Sequence, residues 1–386
     1  MVREIDMYRE LDMDPMLCQQ IDRLKNDACL PTDELRQLLA VCDQPAVRAY
    51  LAEQARTVQK TIFGQTVYMR GLIEFTNYCQ NDCHYCGIRK SNRNVSRYRL
   101  TNDEILDCCA AGHRKGFRTF VLQGGEDPFY TDERLLRLIK QIKQNWPDCA
   151  LTLSVGEKPF SSYAAYRRAG ADRYLLRHET ADPGHYSALH PANLTAAKRQ
   201  RCLADLKRLG YQTGCGFMVG SPGQTREHLL SDLLFMKRFQ PEMAGIGPFL
   251  PHHDTPYKNQ PAGSFELTLA LISILRLLLP NLLLSATTAL GTIHPEGREQ
   301  GILAGANVVM PNLSPEPVRD QYCLYDNKLN SGAESGEGLS DLAGRLAGIG
   351  YKLVVARGDY MDHRSTAFCN PAGQPLTGKS GEHMPA

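Results

Sequence analysis

Several things are scarce in this sequence. Among 386 residues there is one tryptophan, and aromatic side chains make up 8%. Charge of neither sign dominates: 44 Lys and Arg stand against 42 Asp and Glu, for a formal net charge of +2. That excludes a strongly basic nucleic-acid binder and an acidic tail protein, though not a local charged pocket. Long hydrophobic runs are missing too. The longest, 267–284, is interrupted by Arg276, Pro280 and Asn281. It is too broken for a membrane span and reads as a buried helix followed by a buried strand. The opening residues MVREIDMYRELDMDPM contain acidic side chains and no apolar stretch, so no secretory signal is expected. Cysteine, by contrast, is plentiful at 13. In a long chain without such a signal this points to reduced thiols in the cytoplasm rather than a disulfide scaffold.

This length allows two or three domains, or one large α/β barrel with extensions. Residues 1–60 read as an N-terminal helical extension, with Thr32 as the cap of a helix that places Leu35, Leu38, Leu39 and Val41 on one face. From there short apolar runs alternate with helical patterns. The runs are 67–76, 118–124, 150–156, 173–179, 212–220, 243–250, 282–288 and 307–312. Thr101 and Glu104 form a capping box ahead of Ile105, Cys108 and Cys109. Eight strands alternating with helices predict α/β architecture, a (β/α)8 TIM-type barrel of parallel strands over residues 61–325. A doubly wound open sheet is the alternative, because sequence does not settle closure. Residues 326–386 form a short C-terminal extension. In it, 331–338 has linker composition, a helix is expected at 339–349 and a strand at 351–356, and the last fifteen residues read as a mobile tail.

The chemistry-bearing feature is Cys79-Gln-Asn-Asp-Cys83-His-Tyr-Cys86, a C-x3-C-x2-C spacing immediately after the first apolar run. In a barrel this is the first loop at the catalytic end. Three thiolates hold a soft metal centre, but a four-ligand structural zinc site would have to recruit His84 or a distant cysteine. A 4Fe–4S cluster on three cysteines leaves one iron open to a small molecule. The remaining ten cysteines read as ordinary core or surface residues. Gly124-Gly125-Glu126-Asp127 follows the second run, where glycine lets backbone approach a ligand; Asp127, before Pro128, also suits a turn. Arg177, His178 and Glu179 end the fourth run. Alternation puts Arg177 and Glu179 on one face and a structural His178 on the other. Arg70, on the first strand, needs a partner if buried, and a small anion would serve. His252 and His253 are metal-ligand types, but neighbours on an extended segment point apart, which favours a loop role. Lys198 and Arg201 read as solvated helix charges.

The cysteine spacing is the signature of the radical S-adenosylmethionine (SAM) enzymes. The segment IEFTNYCQNDCHYCGIRKSNRNVSRYRLTNDEI resembles their biotin synthase-like branch. LQGGEDPFY, DRYLLRHETADP, GFMVGSPGQT, GIGPFLPHHDTP, SATTALGT and GANVVMPNLSP are similar to the HydE family of FeFe-hydrogenase maturases, across residues 66–325. The resemblance implies Cys79, Cys83 and Cys86 as ligands of one 4Fe–4S cluster. Its open iron would bind the amino and carboxylate groups of SAM, and an electron would release a 5′-deoxyadenosyl radical. Tyr85 would lie near the adenine, and Gly124, Gly125 and Glu126 near the methionyl amino group. Glu179 would contact the cofactor, and Arg199 would hold its carboxylate. Arg70, Arg177, Thr287, Thr288, Met310, Tyr322 and Tyr325 would line the substrate cavity. The implied role is assembly of the diiron subcluster of FeFe-hydrogenase under anaerobic conditions, toward its bridging dithiolate. The implied partners are a small anionic or iron–thiolate substrate, other maturation proteins and a one-electron donor, with no nucleic acid or membrane. Some family members carry a C-terminal cysteine triad for an accessory cluster. Here that region has Cys323 and Cys369 alone, so none is expected. Two other readings remain. A methylornithine synthase-like mutase shares the cysteine loop and RYRLT. An iron–sulfur carrier without turnover would have no use for Glu126, Glu179 and Arg199.

Overall fold

The computed structural model describes residues 13–361 and the short strands Phe368–Cys369 and Pro375–Leu376. The expected mobile tail otherwise lies outside the described residues.

Three helices come first: α1 (Pro15–Asp27), α2 (Thr32–Val41) and α3 (Pro45–Phe63). Asp14 caps α1 by accepting the Met16 N–H at 2.9 Å, and Pro15 sits where its missing N–H would have had no helical partner. The expected cap of α2 needs correction. Pro31 occupies the cap position and Thr32 is the first helical residue, with no side-chain cap bond. The proline ring presets the extended backbone there. Leu35, Leu38 and Leu39 are buried as expected, whereas Val41 is half-buried.

The alternating part runs β1 (Thr66–Met69), β2 (Gly71–Thr76), α4 (Asn102–Arg114), β3 (Thr119–Gly124), α5 (Asp132–Asn145), β4 (Ala150–Ser154), α6 (Phe160–Ala169) and β5 (Arg173–Leu175). It continues with α7 (Pro183–Leu189), α8 (Ala196–Arg208), β6 (Gln212–Cys215), β7 (Met218–Val219), α9 (Arg226–Phe239), β8 (Met243–Ala244), β9 (Gly247–Pro248) and α10 (Phe265–Leu278). It ends with β10 (Leu283–Leu284), α11 (Thr288–Ile293), α12 (Gly297–Leu303) and β11 (Val308–Val309). Every apolar run read as a strand contains one. Seven strands pair in parallel in the order β10-β8-β6-β5-β4-β3-β2. Strand β11 closes the ring. On one side Ala286 N–H donates to Val308 O at 2.9 Å and Asn307 N–H to Leu284 O at 2.8 Å. On the other, Val308 and Val309 pair with Tyr68 and Met69 of β1, which runs into β2 through Arg70.

Helix α10 is buried at every residue from Leu267 to Leu278 and packs along α3. The one charge in that buried stretch is satisfied: Arg276 donates to Gly305 O and Pro280 O at 2.8 Å and to Asn307 Oδ1 at 3.1 Å. Among the described residues no helix is long and apolar enough to cross a membrane. Past the barrel come α13 (Glu316–Arg319), α14 (Leu339–Gly348) and β12 (Lys352–Val354), which pairs in parallel with β1. The stretch 331–338 is not a loose linker. Glu334 is buried against Arg298, and its carbonyl accepts the Asn312 N–H at 2.8 Å. These pairings give a polar, glycine-rich segment a fixed place that composition does not show. The described cysteines include eleven free thiols, but Cys29 is disulfide-bonded, against the expectation of reduced thiols throughout.

Candidate active site

The strand ends converge on a cavity of about 360 Å³. Its walls contain Cys79, Cys83, Tyr85, Cys86, Gly124, Gly125, Glu126, Glu179 and Arg199 together with Arg70, Arg177, Thr287, Thr288, Met310, Tyr322 and Tyr325. The structure therefore gathers every residue given a cluster, cofactor or substrate role above into one space, from segments far apart in the chain.

The cysteine loop has no regular structure and is pinned from within. Asn77 donates from Nδ2 to Ser96 O and Gln321 O at 2.7 Å, while its Oδ1 accepts the Tyr98 N–H at 2.8 Å. The Arg97 guanidinium donates to the carbonyls of Asn77, Ile88, Arg89 and Asn92, folding 87–97 back onto the loop. Gly125 is required by this packing rather than by a ligand: a Cβ there would stand 2.2 Å from Tyr78 O and 2.8 Å from Cys79 Cβ. Burial pushes all three thiols up, Cys83 to about 12, where the neighbouring Cys79 charge adds to the effect. Such thiols give up their protons to a cationic metal centre. The three sulfurs do not all lie within 4.8 Å of one another. Tetrahedral zinc brings its sulfurs within about 4 Å of one another. The described side-chain groups whose ligand atoms all lie within 4.8 Å are His113–Asp148–Cys149 and His252–His253–Asp326. Three half-buried thiols more widely spaced in one loop fit a multi-iron cluster.

The wall beside them is polar and incompletely paired. Arg199 donates from Nε to Glu157 Oε1 at 2.8 Å and from Nη1 to Arg177 O at 3.0 Å. Burial works against its charge, but Tyr186, Glu157, Glu126 and Tyr85 outweigh it and hold its pKa above the ordinary value. Glu126 Oε1 accepts the Glu157 N–H at 3.1 Å. Glu179 has φ 65°, a left-handed backbone that is uncommon away from glycine and accumulates at functional sites. Flanking bonds hold it there: its N–H donates to Gly216 O at 3.0 Å, and its carbonyl accepts from Met218 at 3.2 Å. Arg177 Nη2 and Glu179 Oε2 stand 3.1 Å apart, yet both lack an aligned hydrogen bond, as does Arg177 Nε. Each such buried group costs on the order of 1–3 kcal/mol until something pairs it. A ligand bearing an ammonium, a carboxylate and hydroxyls fits this wall. The aromatic face of Tyr85, fixed by its hydroxyl 3.1 Å from His190 Nε2, suits a flat base.

Deeper in the cavity, Arg70 is buried with Nη1 2.9 Å from Met243 Sδ. Its Nε and Nη2 have no partner. Thr287 is the cap residue of α11 and Thr288 its first residue, so the seventh run ends as a helix start rather than a strand. His178 turns away as alternation predicts, 3.2 Å from the buried Asp232. Asp127 belongs to the scaffold: it accepts two bonds from Arg99, at 2.7 and 3.0 Å, and one from Thr76 at 2.8 Å.

The histidine pair needs a correction. His252 and His253 do not point apart; a turn stacks their rings at 4.4 Å beside Asp326. His252 Nδ1 nevertheless accepts the Asp254 N–H at 3.1 Å. Its other nitrogen must then carry the proton, which leaves no lone pair for a metal. The loop role stands on that ground.

Sequence reasoning missed Glu74, Lys328 and Glu157. Glu74 is fully buried, and accepts from Lys328 Nζ at 2.7 and 3.0 Å and from Asn312 Nδ2 at 2.8 Å. A lone acid inside GLIEFT was the available signal. Lys328 comes from beyond the expected barrel boundary, and nothing local marks it. Glu157 follows Gly156 at the end of β4, a position where an acid merits attention.

Comparison with known proteins identifies the family and the fold. The family model described as the radical SAM superfamily matches residues 73–236. The [FeFe] hydrogenase maturase subunit HydE of Thermotoga maritima is 45% identical over 295 residues, covering 76% of this chain and 84% of that protein. This chain belongs to the radical SAM superfamily. Radical SAM membership implies a 4Fe–4S cluster and SAM, and the cavity described above has the residue types to hold both. A second radical SAM relative, 3-methylornithine synthase of Methanosarcina acetivorans, is 30% identical over 83% of this chain and 89% of its own. Among solved structures, methylornithine synthase (PylB) matches with a TM-score of 0.76 at 27% identity, covering 87% of this chain and 97% of that one. The maturase HydG from Carboxydothermus hydrogenoformans shares the fold, with a TM-score of 0.72 at 19% identity.

Proposed function

We propose that this radical SAM enzyme is a HydE-type maturase. It acts on a small anionic, iron–thiolate substrate in assembly of the FeFe-hydrogenase diiron subcluster, toward the bridging dithiolate. The observation that carries the reading is the 45% identity to a HydE over 84% of that protein's length. Cys79, Cys83 and Cys86 would hold the 4Fe–4S cluster, which would supply the electron for reductive cleavage of SAM. The chain's own residues do the rest. Arg199 holds the methionyl carboxylate, Glu126 takes the ammonium, Glu179 takes ribose hydroxyls and Tyr85 packs on the adenine, while Arg177 lines the substrate side. Burial of these groups strengthens each contact and keeps water from the reactive carbon. Arg70 pairs an anionic group of the substrate. Thr287, Thr288, Met310, Tyr322 and Tyr325 shape the space between. Other maturation proteins supply the substrate or accept the product. No accessory cluster is expected near the C-terminus, because that region of the sequence has Cys323 and Cys369 alone.

The test is to supply the reconstituted protein, with SAM and a reductant, to a cell-free hydrogenase maturation lacking HydE. Restored hydrogenase activity is expected, and lysine is expected to remain unchanged. Formation of methylornithine from lysine with no restored activity would favour the mutase, the reading that the PylB likeness supports.

A further inference from the structure

The proposed chemistry needs one electron per turnover, and the chain surrounding the cysteine loop is unusual for this protein. Overall its charges balance at 44 to 42, but between Cys83 and Asn102 there are Arg89, Lys90, Arg93, Arg97 and Arg99 and no acidic residue. Three of these are committed internally: Arg97 staples the loop, Arg89 pairs with Asp82 at 2.7 Å and Arg99 pairs with Asp127 at 2.7 Å. Lys90, Arg93 and Arg99 are exposed, and so is Arg134 on α5.

Arg97, Arg99 and Arg134 form a row interleaved with aromatic rings, and Lys90 and Arg93 stand exposed on the loop that Arg97 staples. The Arg97 and Arg99 guanidinium carbons lie 6.0 and 3.7 Å from the Tyr78 ring centre. Arg99 is also 4.7 Å from the Phe129 ring, which Arg134 approaches to 3.7 Å. Phe129 is 43% exposed, one of few large apolar side chains so placed. The stacking orders long cationic side chains at a surface. Most neighbouring acids are spent. Asp82 and Asp127 hold Arg89 and Arg99, Glu104 closes the α4 capping box, and Asp254 accepts from Asn94. Asp103 and Glu133 remain exposed. Lys90, Arg93 and Arg134 have no ion pair among the described residues. The face adjoins the ligand loop directly, since Tyr78 is bonded to Cys79.

Resting on the radical SAM reading above, we propose that this face is the docking surface for an acidic one-electron carrier protein. The carrier loses one electron and the cluster gains it; no atom or proton changes place. Complementary charge accelerates such encounters and makes them salt-dependent, and exposed Phe129 supplies an apolar centre to a polar rim.

The experiment compares the reconstituted holoprotein with its K90E/R93E/R134E variant, all exposed residues outside the cavity. The probe is an acidic 2Fe–2S ferredoxin. Binding of its oxidised form is measured by calorimetry, and cluster reduction by its reduced form by stopped flow, both across a salt series. The variant should bind roughly tenfold or more weakly, slow in proportion and lose its salt dependence. Reduction by photochemically reduced deazaflavin, a small molecule, should be unchanged. Phe129→Ala, with no charge change, should weaken binding and keep the salt dependence. Wild-type affinity in the triple variant, no ferredoxin binding by the wild type, or equal slowing with deazaflavin would each overturn the proposal. A wild-type protein that assembles no reducible cluster would instead overturn the functional reading.

Discussion

Two buried arginines in the barrel have opposite surroundings. Arg173 begins β5 at the end where the strands start and is fully buried. It donates to Gln212 Oε1 and Thr119 Oγ1 at 3.1 Å, to Arg357 O and Asp359 Oδ1 at 2.8 Å and to Gly358 O at 3.0 Å. Asp359 is held in turn by Gln212 at 3.0 Å and Arg357 at 2.8 Å, and these contacts keep its carboxyl well below the usual range. Arg70 is also buried, but a thioether is its side-chain contact and two nitrogens are orphaned. Burial lowers the pKa of both; Arg173's charge lowers Arg70 further, with Asp359 pulling the other way. A buried charge persists when something pairs it. The protein itself pairs Arg173, so that end is a structural floor. Arg70 is left for a ligand, so the cavity above is a site.

The comparison can be broken by mutation. The largest effect is expected from Arg173→Met. It leaves Thr119 and the Arg357 and Gly358 carbonyls without their donor and removes one of the contacts to Asp359, and should cost about 3–5 kcal/mol in denaturant unfolding. Arg70→Met should hold or raise stability, since it removes an unpaired charge. Substrate-dependent turnover should fall about 100-fold while SAM cleavage persists, as loss of a charged hydrogen bond predicts. Equal destabilisation by the two variants would end the distinction. Gly156→Ala sharpens it at the opposite wall. With φ +77° and a new Cβ 2.0 Å from Glu126 Cγ, it should cost about 1–3 kcal/mol and weaken SAM binding in equilibrium titration.

The smallest effect is in pH. Burial holds His190, behind Tyr85, down to about 3, whereas an unfolded histidine titrates near 6.5. The unfolded chain therefore takes up a proton that the folded one refuses. This site's contribution is full above about pH 6.5 and falls as the pH drops toward 3. His190→Gln should flatten that part of the melting-temperature profile.

Much of this was legible in sequence because it is local. Apolar runs fall on strands by their period, the Thr101 capping box is four residues long, and the cysteine spacing carries its own chemistry. Alternation separated Glu179 from His178. What stayed hidden depends on distance along the chain. Lys328 meets Glu74 across 254 residues, and Arg173 meets Asp359 across 186. Two arginines in apolar strands read alike until their partners are known. The 331–338 segment misled because flexible composition says nothing of a buried Glu334–Arg298 pair. The histidine pair misled because a turn replaces the extended backbone that alternation assumes.

The most direct test of the central claim is electron paramagnetic resonance of the anaerobically reconstituted, reduced protein, with and without SAM. A 4Fe–4S signal that shifts on adding SAM, and is absent from Cys83→Ala, is the predicted result. A signal unchanged at saturating SAM, or bound zinc with no iron signal, would contradict it.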